Sequence, residues 1–486
     1  MFVGTCSDAG KSVISAAFCR IFLQDGYAPA PFKAQNMSLN SYPTPEGGEI
    51  GRAQAVQAEA CRISPHTDMN PILLKPSDDK NTQVILNGRP IANMSAKEYF
   101  GEQSDKEALF GEALNAFERL YAVYNPVVME GAGSISEINL RDRDITNMRM
   151  AIAAGAATYL IADIDRGGVF GSVYGTILLL TEEERRSVKG IIINKFRGDI
   201  SLFEDGKRML EQLTGIPVVS IIPYFYGIRI EDEDSVALDM KRRTSVEGRI
   251  NVAIVLMRHM SNFTDFNILD ADNRFHAYYT NSAEEIERAD VIILPGSKNS
   301  IDDLRRLRKE GIAQAIVRAH KAGKKVIGIC GGYQMMGTCV EDPDGIEGEI
   351  RMIPGLGLFP QTTVIEKEKI VRQIRFHFLH NEDLCTGYEI HMGRTVMNEG
   401  AEYRPVAVLE DGQPDGYYFD ESCWGTYLHG ILDNPVVLDH LAGGIARDKN
   451  RNFSYADFKE EQYDRLAQHV RSHSDMEYIY STLDKK

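Results

Sequence analysis

The stretch MFVGTCSDAGKS, residues 1–12, determines how the first half of the chain folds. A short apolar run leads into a glycine-rich turn that ends in Gly-Lys-Ser, and apolar residues then recur at helical spacing from Val13 to Phe22. In a strand–loop–helix unit of this kind, the backbone N–H groups of the turn point at phosphate oxygens, and the helix N-terminus adds its positive end. The stretch therefore predicts a phosphate-binding P-loop, followed by a helix that ends near Gly26.

Individual residues of this loop have expected roles in binding ATP. Lys11 is expected to reach the β- and γ-phosphates, and Ser12 is expected to ligate Mg²⁺. Five residues rather than four separate Gly4 from Gly10, a spacing that resembles dethiobiotin synthetase and its relatives, which phosphorylate a carboxylate-like group. The predicted ATP-binding residues are Gly4, Thr5, Asp8, Gly10, Lys11, Ser12 and, after a later strand, Asn194.

Polar residues at strand ends are candidates for the metal and the base of the nucleotide. Mg²⁺ prefers hard oxygen ligands, and Glu130 directly follows an apolar run. Asn194 ends another run and could hydrogen-bond a purine at the carboxyl edge of the sheet, where ligands of open α/β sheets bind. Asp163, Asp165 and Arg166 lie at a third strand end, where they are equally well explained as solvated loop charges.

Six apolar runs with charged or glycine ends predict buried parallel strands, because continuous runs of about 4–8 apolar residues are typical of strands covered on both faces. Helix-like segments follow them, so the sequence predicts an α/β fold with two doubly wound domains. We predict a P-loop domain at 1–230, a charged linker at 231–249, a second domain at 250–450 and a C-terminal tail at 451–486. The six runs lie within 126–134, 157–168, 188–199, 250–262, 289–300 and 324–334.

Composition and cysteine usage argue against several classes of protein. The 486 residues carry a formal net charge of −16, whereas nucleic-acid-binding proteins normally show a basic patch. The seven cysteines form no C-x-x-C pair, so neither a zinc site nor a disulfide framework is expected. The sequence shows no signal-peptide pattern and no apolar run of about 18 residues. These features predict a soluble cytoplasmic protein that binds neither nucleic acid nor membrane.

A second stretch, VIGICGGYQMMG at 326–337, predicts a reactive thiol. It has the form strand, G-x-C-G-G, helix, which resembles a nucleophile elbow with cysteine in place of serine. The N-terminus of a helix favours the thiolate, which is the reactive form. Cys330 is therefore the predicted nucleophile. The alternative is an inert buried cysteine, the commonest state of a free cysteine in proteins.

A cysteine nucleophile needs a base, and the reaction needs donors for an oxyanion. His429 is the predicted base, with a satisfied core histidine as the alternative, and His259 and His391 are weaker candidates. The backbone N–H groups of Gly296 and Gly331 are the predicted oxyanion donors. The third member of a catalytic triad stays open at this stage.

Taken in order, the motifs resemble the cobyric acid synthase family from residue 3 to about residue 435. AQNMSLNS (34–41) and HTDMNPILLKP (66–76) are specific to that family rather than shared by P-loop proteins in general. The resemblance implies a dethiobiotin-synthetase-like P-loop domain, followed by a flavodoxin-like domain of the class I glutamine amidotransferase type. The other blocks that carry it are GGEIGRAQ (47–54), DIDRGGVF (163–170), NKFRGD (194–199), SNFTDF (261–266), LPGSKN (294–299), GYEIHMG (387–393) and TYLHGI (426–431).

The resemblance also implies a reaction. Cys330 would attack the side-chain amide of L-glutamine, form a glutamyl thioester and release ammonia, with His429 moving the proton. ATP and Mg²⁺ would convert a corrinoid carboxylate into an acyl phosphate, from which ammonia displaces phosphate. The family repeats this at the b, d, e and g carboxylates of adenosylcobyrinic acid a,c-diamide, giving adenosylcobyric acid in cobalamin biosynthesis. The implied partners are glutamine, ATP and a corrinoid, and the oligomeric state stays open.

The family's polar blocks supply further candidate residues. Class I amidotransferases usually carry a glutamate two residues after the histidine; here Ile431 stands there, as the resemblance to this family implies. Glu49 is a candidate for a second contact to Mg²⁺. Candidates for holding the corrinoid carboxylates, each equally well explained as an ordinary polar loop residue, are Lys33, Gln35, Asn36, Asn40, Arg52, His66, Asp68 and Asn70.

Two other functions are compatible with parts of the pattern. Cobyrinic acid a,c-diamide synthase has the same two domains and acts earlier on the same ring, although AQNMSLNS and GGEIGRAQ favour the later enzyme. A non-catalytic P-loop ATPase with a degenerate amidotransferase-like module belongs to a different class. Such a module has no reason to keep both Cys330 and His429, so these two residues favour an enzyme.

Overall fold

The computed structural model describes residues 1–76, 81–101, 105–231, 242–443 and 454–483. Its N-terminal half contains a parallel β-sheet of largely buried strands, as the apolar runs predict. A four-stranded part and a two-stranded part meet through a parallel bridge between Phe2 and Glu130. From one edge to the other, the strands are Ala30–Phe32, Val127–Met129, Phe2–Gly4, Thr158–Asp163, Val188–Phe196 and Val218–Pro223.

The helix Lys11–Gln24 follows the P-loop and packs on this sheet. Ile14, Phe18 and Phe22 recur every four residues and are buried in one apolar cluster, because such residues share a face of a helix. The chain leaves the helix through Gly26, whose φ of 85° is readily adopted by glycine. The predicted helix and its end are therefore confirmed.

Apolar clusters on both faces of the sheet make this half doubly wound. Along the strand Thr158–Asp163, Leu160 and Ala162 belong to one cluster, whereas Tyr159 and Ile161 belong to the other. This alternation arises because successive residues of a strand point to opposite faces. The helices before the second half are Lys11–Gln24, Arg52–Ala60, Ala96–Phe100, Lys106–Val123, Met148–Ala153, Val169–Leu179, Glu182–Ser187 and Glu204–Thr214, with 3₁₀ turns at Thr67–Met69, Ile138–Arg143 and Ile200–Phe203.

Two smaller β-structures lie between the helix Lys11–Gln24 and the helix Lys106–Val123. One is a hairpin of the strands Ser41–Pro43 and Glu49–Gly51. The other is a four-stranded mixed sheet. Its strands, in spatial order, are Gln35–Met37, Ile72–Pro76, Asn81–Leu86 and Arg89–Ser95. Parts of the blocks at 34–41, 47–54 and 66–76 lie in these strands.

The C-terminal half is built on a second parallel sheet with the strand order of flavodoxin-like folds. Numbered along the chain, its five parallel strands lie in the order 2-1-3-4-5. This order confirms the predicted α/β class. Across the sheet, the strands are Phe275–Thr280, Ile250–Val255, Val291–Leu294, Lys325–Ile329 and Cys423–Thr426, with the antiparallel strand Tyr417–Asp420 at the edge.

The remaining elements of this half surround the second sheet. Its helices are Asn267–Ala271, Ala283–Arg288, Ser300–Lys309, Ile312–Lys321, Gly331–Met336 and Pro435–Ala442, with 3₁₀ turns at Phe263–Phe266 and Ile431–Asp433. Two four-stranded sheets and one two-stranded ladder complete it. Their strands are Met260–Ser261, Gly296–Ser297, Cys339–Glu341, Met352–Pro354, Gln361–Val364, Ile370–Phe378, Leu384–His391, Arg394–Met397, Ala407–Leu409 and Pro414–Asp415.

The C-terminal tail packs against the N-terminal half. The helix Tyr455–Arg471 buries Leu466 and Val470 in the same apolar cluster as Phe18 of the P-loop helix. A short helix, Met476–Ser481, follows it. Of the predicted linker, 232–241 lies outside the described residues, as do 451–453 and 484–486 of the predicted tail. The predicted domain bounds remain predictions.

The described residues contain neither a membrane-spanning helix nor a metal-binding cluster of side chains. No helix within those ranges is both long and apolar enough to cross a membrane. The same part of the chain contains no group of three or more His, Cys, Asp or Glu side chains arranged to hold a metal ion. All seven cysteines are free thiols.

Candidate active sites

Cys330 occupies a strained turn between the strand Lys325–Ile329 and the helix Gly331–Met336. Its backbone has φ 52° and ψ −110°, a conformation that non-glycine residues rarely adopt and that concentrates at functional sites. A Cβ at Gly332 would lie 2.0 Å from the carbonyl oxygen of Leu294, so only glycine lets the helix start this close to the sheet. The thiol therefore stands at the carboxyl edge of the sheet, as the elbow motif predicts.

His429 lies near this thiol because the two residues follow neighbouring strands. Ile329 and Thr426 are register partners in adjacent parallel strands, so Cys330 and His429 emerge at the same edge. Nδ1 of His429 is 2.7 Å from Oδ2 of Asp265. The buried Nε2 has no hydrogen-bond partner among the described residues, so it is available to exchange a proton with the Cys330 thiol. The three side chains therefore have the order of a Cys–His–Asp triad.

The charge of His429 follows from its surroundings. Burial alone would lower the pKa of the imidazole, but the Asp265 carboxylate and the Cys330 thiolate outweigh burial and raise the pKa of His429 to about 10. The backbone N–H of Gly430 donates to Oδ1 of Asp265 over 3.1 Å and holds the carboxylate in place. His429 is therefore placed to take the proton of the Cys330 thiol, so that the sulfur can attack a carbonyl carbon, and then to give the proton to the leaving group.

The two weaker histidine candidates have other partners. Nδ1 of His259 is 3.2 Å from Oδ1 of Asp303. His391 stacks on Tyr427 with ring centres 3.8 Å apart, although it lines the same cavity as the thiol. His429 interacts with both the Asp265 carboxylate and Cys330. The geometry therefore favours His429 as the base.

Cys330, His429 and Asp265 together form what we call the thiol centre. Both glycines predicted to form the oxyanion site lie beside it. A Cβ at Gly331 would be 2.7 Å from the backbone nitrogen of Ser297, so the elbow packs directly on the loop after Leu294. A Cβ at Gly296 would be 3.1 Å from Cε1 of His429. The two backbones are thus close enough to bound one reaction site, and their role as donors stays a prediction.

A cavity of about 350 Å³ opens in front of Cys330 and is lined by both halves of the chain. Lys75 and Gln83 line it from the N-terminal half, and Lys298 and Glu347 line it from the C-terminal half. The cavity is therefore polar, and its walls carry charges of both signs.

The thiol centre also touches the N-terminal half directly. Tyr388 stacks on His429 with ring centres 5.2 Å apart, and the Tyr42 ring packs against Tyr388 at 4.9 Å. The backbone N–H of Ser41 donates to Oδ1 of Asn262 over 3.1 Å. The family-specific block at 34–41 is therefore in contact with the loop that carries the triad carboxylate.

The P-loop has the conformation that phosphate binding requires. Gly10 has φ 98°, and the helix begins at Lys11. The ammonium of Lys11 donates to the carbonyl oxygens of Cys6 at 3.0 Å, Ser7 at 2.8 Å and Gly133 at 2.9 Å. The backbone N–H of Thr5 donates to Ile161 over 3.0 Å and ties the loop to the sheet. The cation is thus held over the loop where phosphate oxygens would lie.

Ser12 and Glu130 come together as the predicted metal ligands. Oγ of Ser12 donates to Oε1 of Glu130 over 2.8 Å. Lys33 Nζ lies 2.9 Å from Oε1, and the Gln57 amide donates to Oε2 over 2.6 Å. A hydroxyl and a carboxylate suit Mg²⁺, which usually takes one or two protein oxygens together with phosphate and water. These two residues would hold the ion, which neutralises charge on the phosphates when bound.

Two other predicted ATP-binding residues also contact the loop. The Asn194 amide donates to the carbonyl oxygen of Ala9 over 2.8 Å, while its buried Oδ1 has no hydrogen-bond partner among the described residues. Oδ2 of Asp8 pairs with Arg166 over 2.8 Å at the rim. An unpartnered acceptor beside a phosphate loop suits an amino group of a nucleotide base.

Comparisons with known proteins agree with this geometry. The profile of the CobQ/CobB/MinD/ParA nucleotide-binding domain matches residues 1–235, and that of the CobB/CobQ-like glutamine amidotransferase domain matches residues 251–437. The cobyric acid synthase of Parabacteroides distasonis is 70% identical over 99% of this chain and 98% of its own. Those of Bacteroides fragilis and Syntrophobacter fumaroxidans are 60% and 46% identical over 99% of this chain, and over 98% and 97% of their own.

The chain belongs to the cobyric acid synthase family. The family predicted from the motifs is thereby confirmed. The predicted order of the two domain types and the predicted enzyme class, an amidotransferase-type ligase, are confirmed as well. The roles of the individual site residues stay proposals.

Sequence reasoning missed Asp265 as a partner of His429 in this cobyric acid synthase family member. The residue lies in SNFTDF, a block that carried the resemblance without a role. The glutamate that other class I amidotransferases place after the histidine is replaced by Ile431, which is buried and apolar. The carboxylate comes instead from the loop after the first strand of the second sheet. The aspartate in that block is the sequence signal that could have identified the partner of His429, because a histidine base is usually oriented by a carboxylate.

Several candidate corrinoid-binding residues of the family blocks make hydrogen bonds or ion pairs inside the protein, and their role as ligands stays a prediction. Asn70 is buried; its amide donates to two backbone carbonyls, and its oxygen accepts from Gly51. Asn36 donates to Gln54, and Asn40 accepts from the backbone of Phe263. The other engaged candidates are Gln35 with Tyr99, Arg52 with Glu231, Asp68 with Arg119, and Lys33 with Glu130; of the set, only His66 has a substantially exposed side chain.

The structure also argues against Glu49 as a second Mg²⁺ contact in this family member. Its carboxylate is buried and pairs with Lys75 over 3.2 Å and with Lys369. These lysines outweigh the effect of burial and lower the pKa of Glu49 to about 2. Both lysines line the cavity of the thiol centre. A carboxylate neutralised by two ammonium groups is a poor ligand for a divalent cation.

Replacing Asp265 with asparagine is expected to lower kcat/KM for glutamine hydrolysis by about 10²–10⁴-fold, the usual contribution of a positioned acid–base group. Loss of the carboxylate also lowers the pKa of His429, so the alkaline limb of the pH profile shifts to lower pH. Glutamate release measured against pH checks both effects. Asp439→Asn, at an exposed partner of Arg274, serves as the control. An unchanged rate and profile would remove Asp265 from the site.

Proposed function

We propose that the chain transfers ammonia from glutamine to the b, d, e and g carboxylates of adenosylcobyrinic acid a,c-diamide, using ATP. The observation that carries this proposal is the Cys330–His429–Asp265 arrangement in the same chain as the P-loop pair Ser12 and Glu130. Family membership supplies the substrate class. The burial and pairing of both centres argue against a degenerate module.

At the thiol centre, the Cys330 thiolate attacks the side-chain amide carbon of glutamine. The tetrahedral oxyanion is held by the backbone N–H groups at Gly296 and Gly331, and the His429 imidazolium gives its proton to the departing nitrogen. The C–N bond breaks, ammonia leaves and a glutamyl thioester remains. Water, deprotonated by His429, then releases glutamate and restores the thiol.

At the P-loop, a corrinoid carboxylate oxygen attacks the γ-phosphorus of ATP, and ADP leaves. Lys11 and the backbone of the loop stabilise charge on the transferred phosphoryl group. The resulting acyl phosphate is a good electrophile, whereas a free carboxylate is not. Ammonia adds to its carbonyl carbon, phosphate leaves with the bonding electron pair, and a carboxamide remains. Each amide thus consumes one ATP and one glutamine.

The choice of corrinoid separates this proposal from cobyrinic acid a,c-diamide synthase. The purified protein is incubated with ATP, Mg²⁺ and ammonium, and with either cobyrinic acid or its adenosylated a,c-diamide. We expect amidation of the a,c-diamide, with one ADP formed for each amide, and no reaction at the a and c positions. Amidation of the a and c carboxylates alone would assign the earlier step instead. We further propose a cytoplasmic location, which the free cysteines fit.

A further inference from the structure

The cavity in front of Cys330 contains four lysine or glutamate side chains that differ in how they are paired. Lys75 and Lys369 both pair with Glu49, which lies behind the cavity wall. Lys298 and Glu347 also line the cavity, but neither has an oppositely charged side chain within 4 Å among the described residues. The cavity next to the thiol therefore contains one basic and one acidic side chain without an ion-pair partner within 4 Å among the described residues.

The position of Glu347 is fixed by the loop that packs on the elbow. Oε2 of Glu347 accepts a hydrogen bond from the backbone N–H of Ile301 over 3.0 Å, and its carbonyl oxygen accepts one from Asn299 over 2.9 Å. Burial raises the pKa of the Glu347 carboxyl to about 7, and the Ile301 bond and Lys298 offset only part of this. A cation bound beside the carboxylate would compensate its lost hydration.

Lys298 follows Ser297, the residue against which Gly331 of the elbow packs. Its ammonium donates to Oε1 of Gln83 over 3.3 Å, a weak bond to a neutral amide of the N-terminal half. Burial and the nearby Lys75 lower the pKa of Lys298 to about 8. A carboxylate in the cavity would supply the missing counter-charge.

We propose that Glu347 binds the α-ammonium and Lys298 the α-carboxylate of the glutamine whose amide Cys330 attacks. A free α-amino acid carries these two charges on one carbon, so it matches the two unpaired groups of the cavity. The pair would select free glutamine over peptide-bound glutamine and over analogues that lack either charge. This inference rests on the proposed glutamine hydrolysis at Cys330 and names the groups that recognise its substrate.

The proposal is tested by measuring hydrolysis of the side-chain amide in three compounds. These are L-glutamine, glutaramate, which lacks the α-ammonium, and L-glutaminamide, which lacks the α-carboxylate. We expect the wild-type protein to prefer glutamine over each analogue by about 10- to 100-fold in kcat/KM, the range of a hydrogen bond to a charged group. In Glu347→Gln, the preference over glutaramate collapses while that over glutaminamide persists. In Lys298→Met, the reverse holds, and both losses lie in KM rather than kcat.

Lys369→Met is the matched control, because it removes a lysine of the same cavity that is paired with Glu49. It is expected to keep both preferences. If each variant loses activity on all three amides by the same factor, or if Lys369→Met abolishes the preference over glutaminamide, the assignment is overturned. A wild-type protein that releases no glutamate from glutamine would instead refute the proposed function itself.

Discussion

Replacing Cys330 with alanine is expected to lower glutamine-dependent amidation by at least about 10⁴-fold, because loss of a nucleophile removes the covalent route entirely. Among the described residues that line the cavity, Cys330 is the only thiol. The strained backbone at this position tolerates alanine no worse than cysteine, so the elbow is expected to persist. Glutamate release and corrinoid mass, measured in parallel, report the loss.

Replacing glutamine with ammonium as the nitrogen source shows whether the loss is specific to glutamine hydrolysis. With ammonium chloride, ATP and Mg²⁺, the Cys330→Ala protein is expected to amidate the corrinoid at the wild-type rate, since the P-loop is untouched. Cys339→Ala removes a partly exposed thiol of the same half and is expected to leave both activities intact. Glutamine hydrolysis that survives Cys330→Ala would show that another group is the nucleophile.

Replacing Lys11 with alanine is expected to lower amidation with either nitrogen source by about 10²–10³-fold or more, the range for removal of one preorganised charge from a transition state. The ammonium is held by three loop carbonyls at 2.8–3.0 Å, so its position over the loop is already fixed. ADP formation in the presence of the corrinoid is the direct readout.

Basal glutamate release separates this effect from unfolding. We expect Lys11→Ala to retain it, because the thiol, its histidine and Asp265 all lie in the other half of the chain. Lys189→Met, at an exposed lysine that contacts the Arg186 carbonyl, controls for loss of a surface charge. Amidation at the wild-type rate in Lys11→Ala would refute the assignment of the phosphate loop.

The two centres were predictable from the sequence because each begins with a local motif. The P-loop and the elbow each place a strand, a tight turn and a helix within about a dozen residues, and their chemistry follows from the turn itself. The pairing of Cys330 with His429 could be anticipated because both follow apolar strands. Parallel strands bring such positions to a common edge.

Asp265 could not be assigned in the same way because its contact spans most of a domain. It lies 164 residues before His429, in a block with no catalytic signature of its own. The sequence shows that a carboxylate is missing after His429, but not which of many acidic residues replaces it. The folded structure makes the choice: the strand Ile250–Val255 lies two positions from the thiol strand in the same parallel sheet, and Asp265, which follows it, reaches His429.

The sequence also leaves the role of the corrinoid candidates open. Polar residues in a motif can bind a ligand or hold a loop together, and sequence does not separate the two. Asn36 and Asn70 form hydrogen bonds with buried side-chain and backbone groups. These hydrogen bonds cannot be inferred from the sequence alone. Conversely, nothing in the sequence connects Lys298 with Glu347, and the fold brings them together in one cavity.

The central claim is that one chain transfers the amide nitrogen of glutamine to a corrinoid. The most direct measurement is to incubate the protein with amide-¹⁵N glutamine, ATP, Mg²⁺ and adenosylcobyrinic acid a,c-diamide, and to follow the corrinoid by mass spectrometry. The account predicts stepwise gain of ¹⁵N carboxamides, up to the four named positions. Consumption of glutamine and ATP with no ¹⁵N in the corrinoid would contradict it.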